Sequence, residues 1–202
     1  MKETLKKIEN QDINRSKWDE CVIESQYPFP YAFSWYLDAV APNWQGYVLN
    51  DYDAILPITV KKKLFIKAIL QAPYCQQLGQ INAIQSEALQ HNLLKRIFKD
   101  YNLVDYQIQK QDNLILPEKI QVEERPNYIL DLKRSYQDLF KSYNTNTKRN
   151  LKKAGKYSLE IREKISIQTI VNFKSQNSAQ ISPFYAKSLL NLLESADNNK
   201  SL

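Results

Sequence analysis

At Gln45 the apolar spacing along this chain changes from the three-to-four of a helix to the two of a strand, and that change limits the fold most. Before it, Ile13, Trp18, Cys21, Val22 and Ser25 fall near one face of a helix that Asp12 or Asn14 can cap. Tyr27-Pro28-Phe29-Pro30 ends this helix, because proline blocks continuation and restricts the residue before it. A second short helix is expected from about Tyr31 to Val40, stopped by Pro42. After Gln45, Gly46–Leu49 and Tyr52–Val60 read as antiparallel strands joined by a tight turn at Asn50-Asp51. Pro57 gives the second of them an edge or bulge position, and Lys61–Lys63 makes the polar end of the hairpin.

A further strand is expected over Phe65–Gln71, followed by a loop at Ala72–Gly79. Ser86 caps a helix over Glu87–Lys99, with Ala88, Leu89, Leu93, Leu94, Ile97 and Phe98 as its apolar stripe. Leu103–Gln109 returns as a strand. Antiparallel strands followed by strands interleaved with helices imply an α/β (mixed α+β) fold, a mixed sheet covered by helices rather than a doubly wound nucleotide fold.

The proline-bearing segment Gln111–Pro126 marks the expected boundary between a module at 1–125 and a second at 126–202. In the second, Asn127–Leu132 and Tyr157–Glu163 have strand patterns. Ser135 and Asp138 have capping-box spacing. A helix begins near Thr145 and closes at Gly155 through an expected left-handed cap, and helices over Ile167–Ser175 and Pro183–Ala196 follow. Two strands make a poor sheet alone, so this module reads as the incomplete beginning of a domain, or as strands that join the first sheet.

Standard catalytic motifs offer little. His91, the only histidine, lies among Gln90, Asn92 and Lys95 and reads as solvated or partly packed in preference to catalytic. With one histidine and two widely separated cysteines, Cys21 and Cys75, no metal site is expected. Cys21 reads as a small buried thiol, and the two cysteines as unpaired rather than bridged. Glu123-Glu124 and the Asp51/Asp53 pair are explained by a solvated connector and a turn. Tyr27, Tyr31, Trp35 and Tyr36 form an aromatic cluster read as core or interface before ligand stacking. The loop carrying Tyr74, Gln76, Gln77 and Gly79 can hold a ligand or serve local hydrogen bonding.

Charge is concentrated. Between Thr145 and Lys164 there are seven basic and two acidic residues, so this segment carries +5 of the chain's +6. Lys148, Arg149, Lys152, Lys153 and Lys156 belong to the exposed side of the expected helix, with Thr147, Leu151 and Ala154 facing the protein. Such a face can hold a nucleotide, a cell-wall precursor or an RNA backbone, or remain a solvated helix surface. No docking motif for sequence-specific DNA reading accompanies it. No apolar run is long enough to span a bilayer, and the lysine-bearing N-terminus is followed by no secretory-type apolar segment, so the expected compartment is the cytoplasm.

Ile13-Asn14-Arg15-Ser16-Lys17-Trp18-Asp19-Glu20-Cys21, Tyr31-Ala32-Phe33-Ser34-Trp35-Tyr36-Leu37-Asp38 and Gln76-Gln77-Leu78-Gly79 resemble the N-terminal part of Bacteroidota proteins related to the FemAB-type peptidoglycan aminoacyltransferases. Tyr136–Ala154, above all Lys148-Arg149-Asn150-Leu151-Lys152-Lys153-Ala154, is similar to the segment opening the second domain in that group. The resemblance implies a pair of GNAT-like acyltransferase domains. It implies acyl-CoA or aminoacyl-tRNA as co-substrate of the full-length family, and a cell-wall precursor or tRNA among the partners. Lys148 and Arg149 would lie near an anionic substrate or the domain interface, and no catalytic residue can be mapped.

Two departures accompany the resemblance. Gln76-x-x-Gly79-x-Ile81 has isoleucine where the acetyltransferase pyrophosphate loop takes glycine or alanine, and it lies in the wrong half. Family members also continue with strands beyond position 202. The expected function is therefore an acyl- or aminoacyl-transferase acting on an amine-bearing substrate that can also be anionic, with this chain alone inactive and either dimerising through its second module or a fragment of a longer enzyme. The alternatives are a non-catalytic binding or assembly module, and RNA binding through the 145–164 segment.

Overall fold

Lys6 and Lys7 interrupt the apolar pattern near the N-terminus, yet Leu5–Glu9 forms a strand, β1. It lies antiparallel to β2 (Gln45–Leu49), which pairs in turn with β3 (Ala54–Ile58). All five β2 residues are buried, so the middle strand of this sheet takes the apolar content while β1 lies at its side with its lysines exposed. The computed structural model describes residues 3–82, 84, 86–109, 116, 120–157, 159–162, 164–177 and 181–199. The chain divides into two compact units, Met1–Pro117 with Ser166–Leu202, and Glu118–Ile165.

In the first unit, α1 (Arg15–Ile23) is capped by Asn14, whose side chain accepts from the Lys17 N–H at 3.2 Å. α2 (Ser34–Val40) starts three residues later than the pattern suggests, because Pro30–Ala32 forms a single 3₁₀ turn. Asp19 of α1 accepts from the Ser34 N–H at 2.7 Å and from the Ser34 hydroxyl at 2.8 Å, which satisfies the start of α2. Trp18 is fully buried, donates from Nε1 to the Ala32 carbonyl at 2.9 Å, and meets Trp44 edge-on with ring centroids 4.6 Å apart. A Cβ at Gly46 would stand 2.5 Å from the Trp18 ring, so glycine is required there by close approach.

The hairpin between β2 and β3 is not the two-residue turn expected at Asn50-Asp51. The last pair is Leu49 with Ala54, leaving a four-residue loop in which Asn50 and Tyr52 have positive φ. The expected strand Tyr52–Val60 is also divided. Beyond Thr59 the chain continues as β4 (Val60–Lys63), which joins a different sheet with β5 (Ile66–Leu70) and β6 (Leu103–Asp105). β4 and β5 are antiparallel and β5 and β6 parallel, so two small sheets stand where one mixed sheet was expected.

α3 (Glu87–Asp100) connects β5 to β6 and is capped by Ser86 as its sequence predicts. Its Leu93 and Ile97 are buried with Tyr47, Leu49, Ile58, Ile69 and Tyr101, while Trp18, Val22, Leu37, Val48 and Ile55 make a second cluster. The fold is thus mixed α/β, with two small sheets packed by helices. α6 (Ile167–Asn177) and α7 (Pro183–Asn198) also belong to this unit; α7 packs along α2, placing Leu192 against the core and Asn191 Nδ2 3.5 Å from the Ala39 carbonyl.

The second unit contains α4 (Tyr136–Ser142) and α5 (Thr145–Ala154). Ser135 accepts from the Asp138 N–H at 3.2 Å, and its hydroxyl donates to the Asp138 carboxylate at 2.7 Å, so Asp138 holds the capping side chain itself. Gly155 ends α5 with φ −65°, a right-handed conformation, against the left-handed cap expected. Asn127–Leu132 forms no strand, and neither do the described residues of Tyr157–Glu163. Both have the strand pattern, but among the described residues neither joins a sheet, and alternation without a ladder does not make a strand.

Among the described residues leucine and tyrosine hold positive φ at Tyr52, Leu64 and Tyr74. Lys63 opposite Ile66 closes a two-residue β4–β5 hairpin whose first loop residue, Leu64, has φ 52° where such loops take glycine. Leu64 is 91% exposed and gains nothing there from packing. Replacing Leu64 with glycine should leave stability unchanged or raise it by up to about 1 kcal/mol, read from urea unfolding. A fall of that size would show that the leucine is held by contacts the strain merely accompanies.

Candidate functional site

α5 assembles the basic residues on one side of a short helix. At about 100° per residue, Lys148, Lys152, Arg149 and Lys153 of α5 fall within roughly 140° of arc, and Lys156 follows in the turn beyond its end. Asn144 caps the helix, accepting from the Thr147 N–H at 2.8 Å. Lys152 and Lys153 occupy its last turn, where the exposed carbonyls favour cations. Lys148 is half-buried; its ammonium donates to the Lys141 carbonyl at 3.0 Å and lies 5.7 Å from the centre of the Phe140 ring. Arg149 donates to the Asn146 side chain at 2.8 Å, which steadies the guanidinium while leaving other donors outward.

Lys152, Lys153 and Lys156 are exposed. Among the described residues no carboxylate pairs with any of the five cations; the nearby acids Asp138 and Glu160 are taken by Lys141 and Arg162. The opposite side of α5 is only weakly covered. Thr147 and Ala154 are half-buried and Leu151 is exposed, so the side expected to face the protein has no buried residue. What the helix can do chemically is gather phosphate or carboxylate groups through charge-assisted hydrogen bonds.

The loop at 72–79 has a different character. Tyr74 has φ 61°, its carbonyl accepts from the Tyr36 hydroxyl at 2.8 Å, and its own hydroxyl donates to the Tyr185 carbonyl at 3.0 Å. Both polar ends of Tyr74 therefore fasten the loop to α2 and α7. Gln76 is exposed and Gln77 half-buried. Gln71 ties the 72–79 loop to the segment after β6 by accepting from the Gln107 N–H at 3.1 Å and donating to the Cys75 carbonyl at 3.0 Å.

Burial raises several titratable groups of the first unit. Cys75 is buried among Tyr31, Tyr36 and Tyr106, and burial pushes its thiol up to about 12. Burial raises Tyr106 further, with its hydroxyl donating to the Pro57 carbonyl at 2.5 Å. Cys21 is also buried and free, pushed up to about 11 by burial although Asn82 donates to its sulfur at 3.4 Å. Asp19 is raised by burial against the Ser34 hydrogen bonds that lower it. Neither thiol is poised as a base near neutral pH. His91 is exposed on α3, and no group of three or more potential metal ligands occurs among the described residues.

Sequence reasoning missed a second basic concavity. Leu5 of β1 and Leu89, Asn92, Lys95, Arg96 and Lys99 of α3 line an open groove of about 410 Å³, with Arg96 donating to the Leu5 carbonyl at 3.2 Å. The α3 spacing signals a shared helix face, but only the β1 pairing shows that a groove exists. No helix among the described residues is long and apolar enough to cross a membrane. No protein-family model, curated protein or solved structure matches the chain.

Proposed function

We propose that this chain is part of a FemAB-like acyl- or aminoacyl-transferase in which the basic side of α5 holds a phosphate-bearing substrate. The observation that carries the proposal is the arc of Lys148, Arg149, Lys152 and Lys153 with Lys156 just beyond it, free of carboxylate partners among the described residues. The first unit is mixed α/β, the class that the sequence resemblance implies, although its strands form two small sheets. In this reading α5 neutralises the carrier, tRNA or a nucleotide-linked precursor, and orients it, which is the contribution a positioning surface makes to transfer. Catalysis also needs donors around the reacting carbonyl, and these are assigned to no residue here.

Titrating the chain with tRNA, acyl-CoA and a nucleotide-linked muropeptide tests the proposal. At least one should bind with an affinity that falls with salt, and K152Q/K153Q should weaken it about tenfold or more at low ionic strength. The helix should survive, since glutamine and lysine have similar helix propensities. Flat responses to all three ligands would exclude the reading. A second reading, a binding module without chemistry, is favoured by the burial of both free thiols, Cys21 and Cys75. Carrier binding with no transfer by any longer form of the protein would select it.

A further inference from the structure

We infer that the β4–β5 hairpin tip is a site of attachment to an anionic lipid surface. Three unfavourable features meet at this one place in the first unit. Leu64, Phe65 and Ile66 are consecutive apolar residues and all exposed, Leu64 by 91% and Phe65 by 96%, a run that a soluble surface does not keep without use. Leu64 holds a positive φ of 52° at the loop position that glycine ordinarily takes. Lys62 stands directly opposite Lys67 in the strand register, a like-charge pair that weakens the ladder.

The exposed apolar run and the paired lysines are both relieved by one partner. The acyl–headgroup boundary receives Leu64 and Phe65, and anionic headgroups answer Lys62, Lys63 and Lys67, for which no carboxylate partner occurs among the described residues. Lys61, farther from the tip, lies with its ammonium 4.0 Å from the centre of the Phe184 ring and is held by the body of the unit. Lysines on an edge strand also discourage edge-to-edge aggregation. That accounts for the charge but not for leucine and phenylalanine in the turn. The tip lies on the membrane surface and does not span it, and its attachment is independent of the transferase reading.

Flotation of the whole chain with vesicles of equal parts phosphatidylglycerol and phosphatidylcholine, and with phosphatidylcholine alone, tests the inference. The chain should float with the anionic vesicles only, and less as salt rises. L64S/F65S should lower the partition coefficient at least tenfold, and K62Q/K63Q about tenfold, with unchanged thermal midpoints. Leu64→Gly keeps the hairpin and should also weaken binding, which separates contact with lipid from any loss of folding. K152Q/K153Q should have the smaller effect. Absence of flotation, equal flotation with phosphatidylcholine, or binding that survives L64S/F65S and is lost in K152Q/K153Q would overturn it. So would self-association that depends on Phe65 without vesicle binding.

Discussion

Replacing Trp18 with alanine should lower the unfolding free energy by about 3–5 kcal/mol, measured by urea denaturation. Trp18 is fully buried, meets Trp44 edge-on, and its indole N–H satisfies the Ala32 carbonyl at 2.9 Å. Truncation opens a cavity and leaves that carbonyl short of a donor. The site cannot collapse easily, because β2 already approaches the ring as closely as glycine permits at Gly46. Against a total stability of about 5–15 kcal/mol for a typical domain, that loss is large, and the urea midpoint should fall well below that of the parent chain. A loss below about 1 kcal/mol would show that α1 does not anchor the first sheet.

The second large effect is alkaline destabilisation. Burial raises the Cys75 thiol from an ordinary value of 9.0 to about 12, so the folded chain keeps a proton that the unfolded chain releases. Stability from this group is complete below pH 9 and is lost as pH rises from 9 to about 12. Three units correspond to about 4 kcal/mol as an order of magnitude. Tyr101, pushed up to about 12 mainly by burial, adds to the loss in the same direction. Cys75→Ala cannot ionise in either state, so its stability should fall distinctly less over this pH range. An identical alkaline slope in the variant would mean that Cys75 is not held neutral by the fold.

What the sequence made legible follows from how local each determinant is. α3 was readable because its cap, Ser86, and its buried Leu93 and Ile97 all lie within one helix. The basic side of α5 was readable for the same reason, since charge and helical spacing are properties of the segment alone. β1 was not, because its apolar Leu5 and Ile8 make sense only once set against β2. The division of one expected sheet into two was half visible in Pro57, but the crossing at Thr59 depends on β5, whose Leu70 N–H bonds to the Thr59 carbonyl at 3.1 Å. Asn127–Leu132 shows the reverse case, a strand pattern that no neighbour completes. The groove at Leu5, Leu89 and Arg96 and the fastening of Tyr74 by α7 are products of long-range packing.

The claim that α5 receives the phosphate-bearing substrate is tested most directly by mapping lysine reactivity, with mass-spectrometric readout of amine acylation in the free chain and with saturating tRNA. Lys152, Lys153 and Lys156 are exposed in the free chain and should all label. On binding, these three should be protected severalfold, while Lys95 and Lys99 on α3 and Lys62 and Lys63 at the hairpin keep their free reactivity. Protection confined to the α3 groove, or unchanged labelling of Lys152 and Lys153 in a chain shown to be bound, would contradict the assignment of the substrate surface to α5.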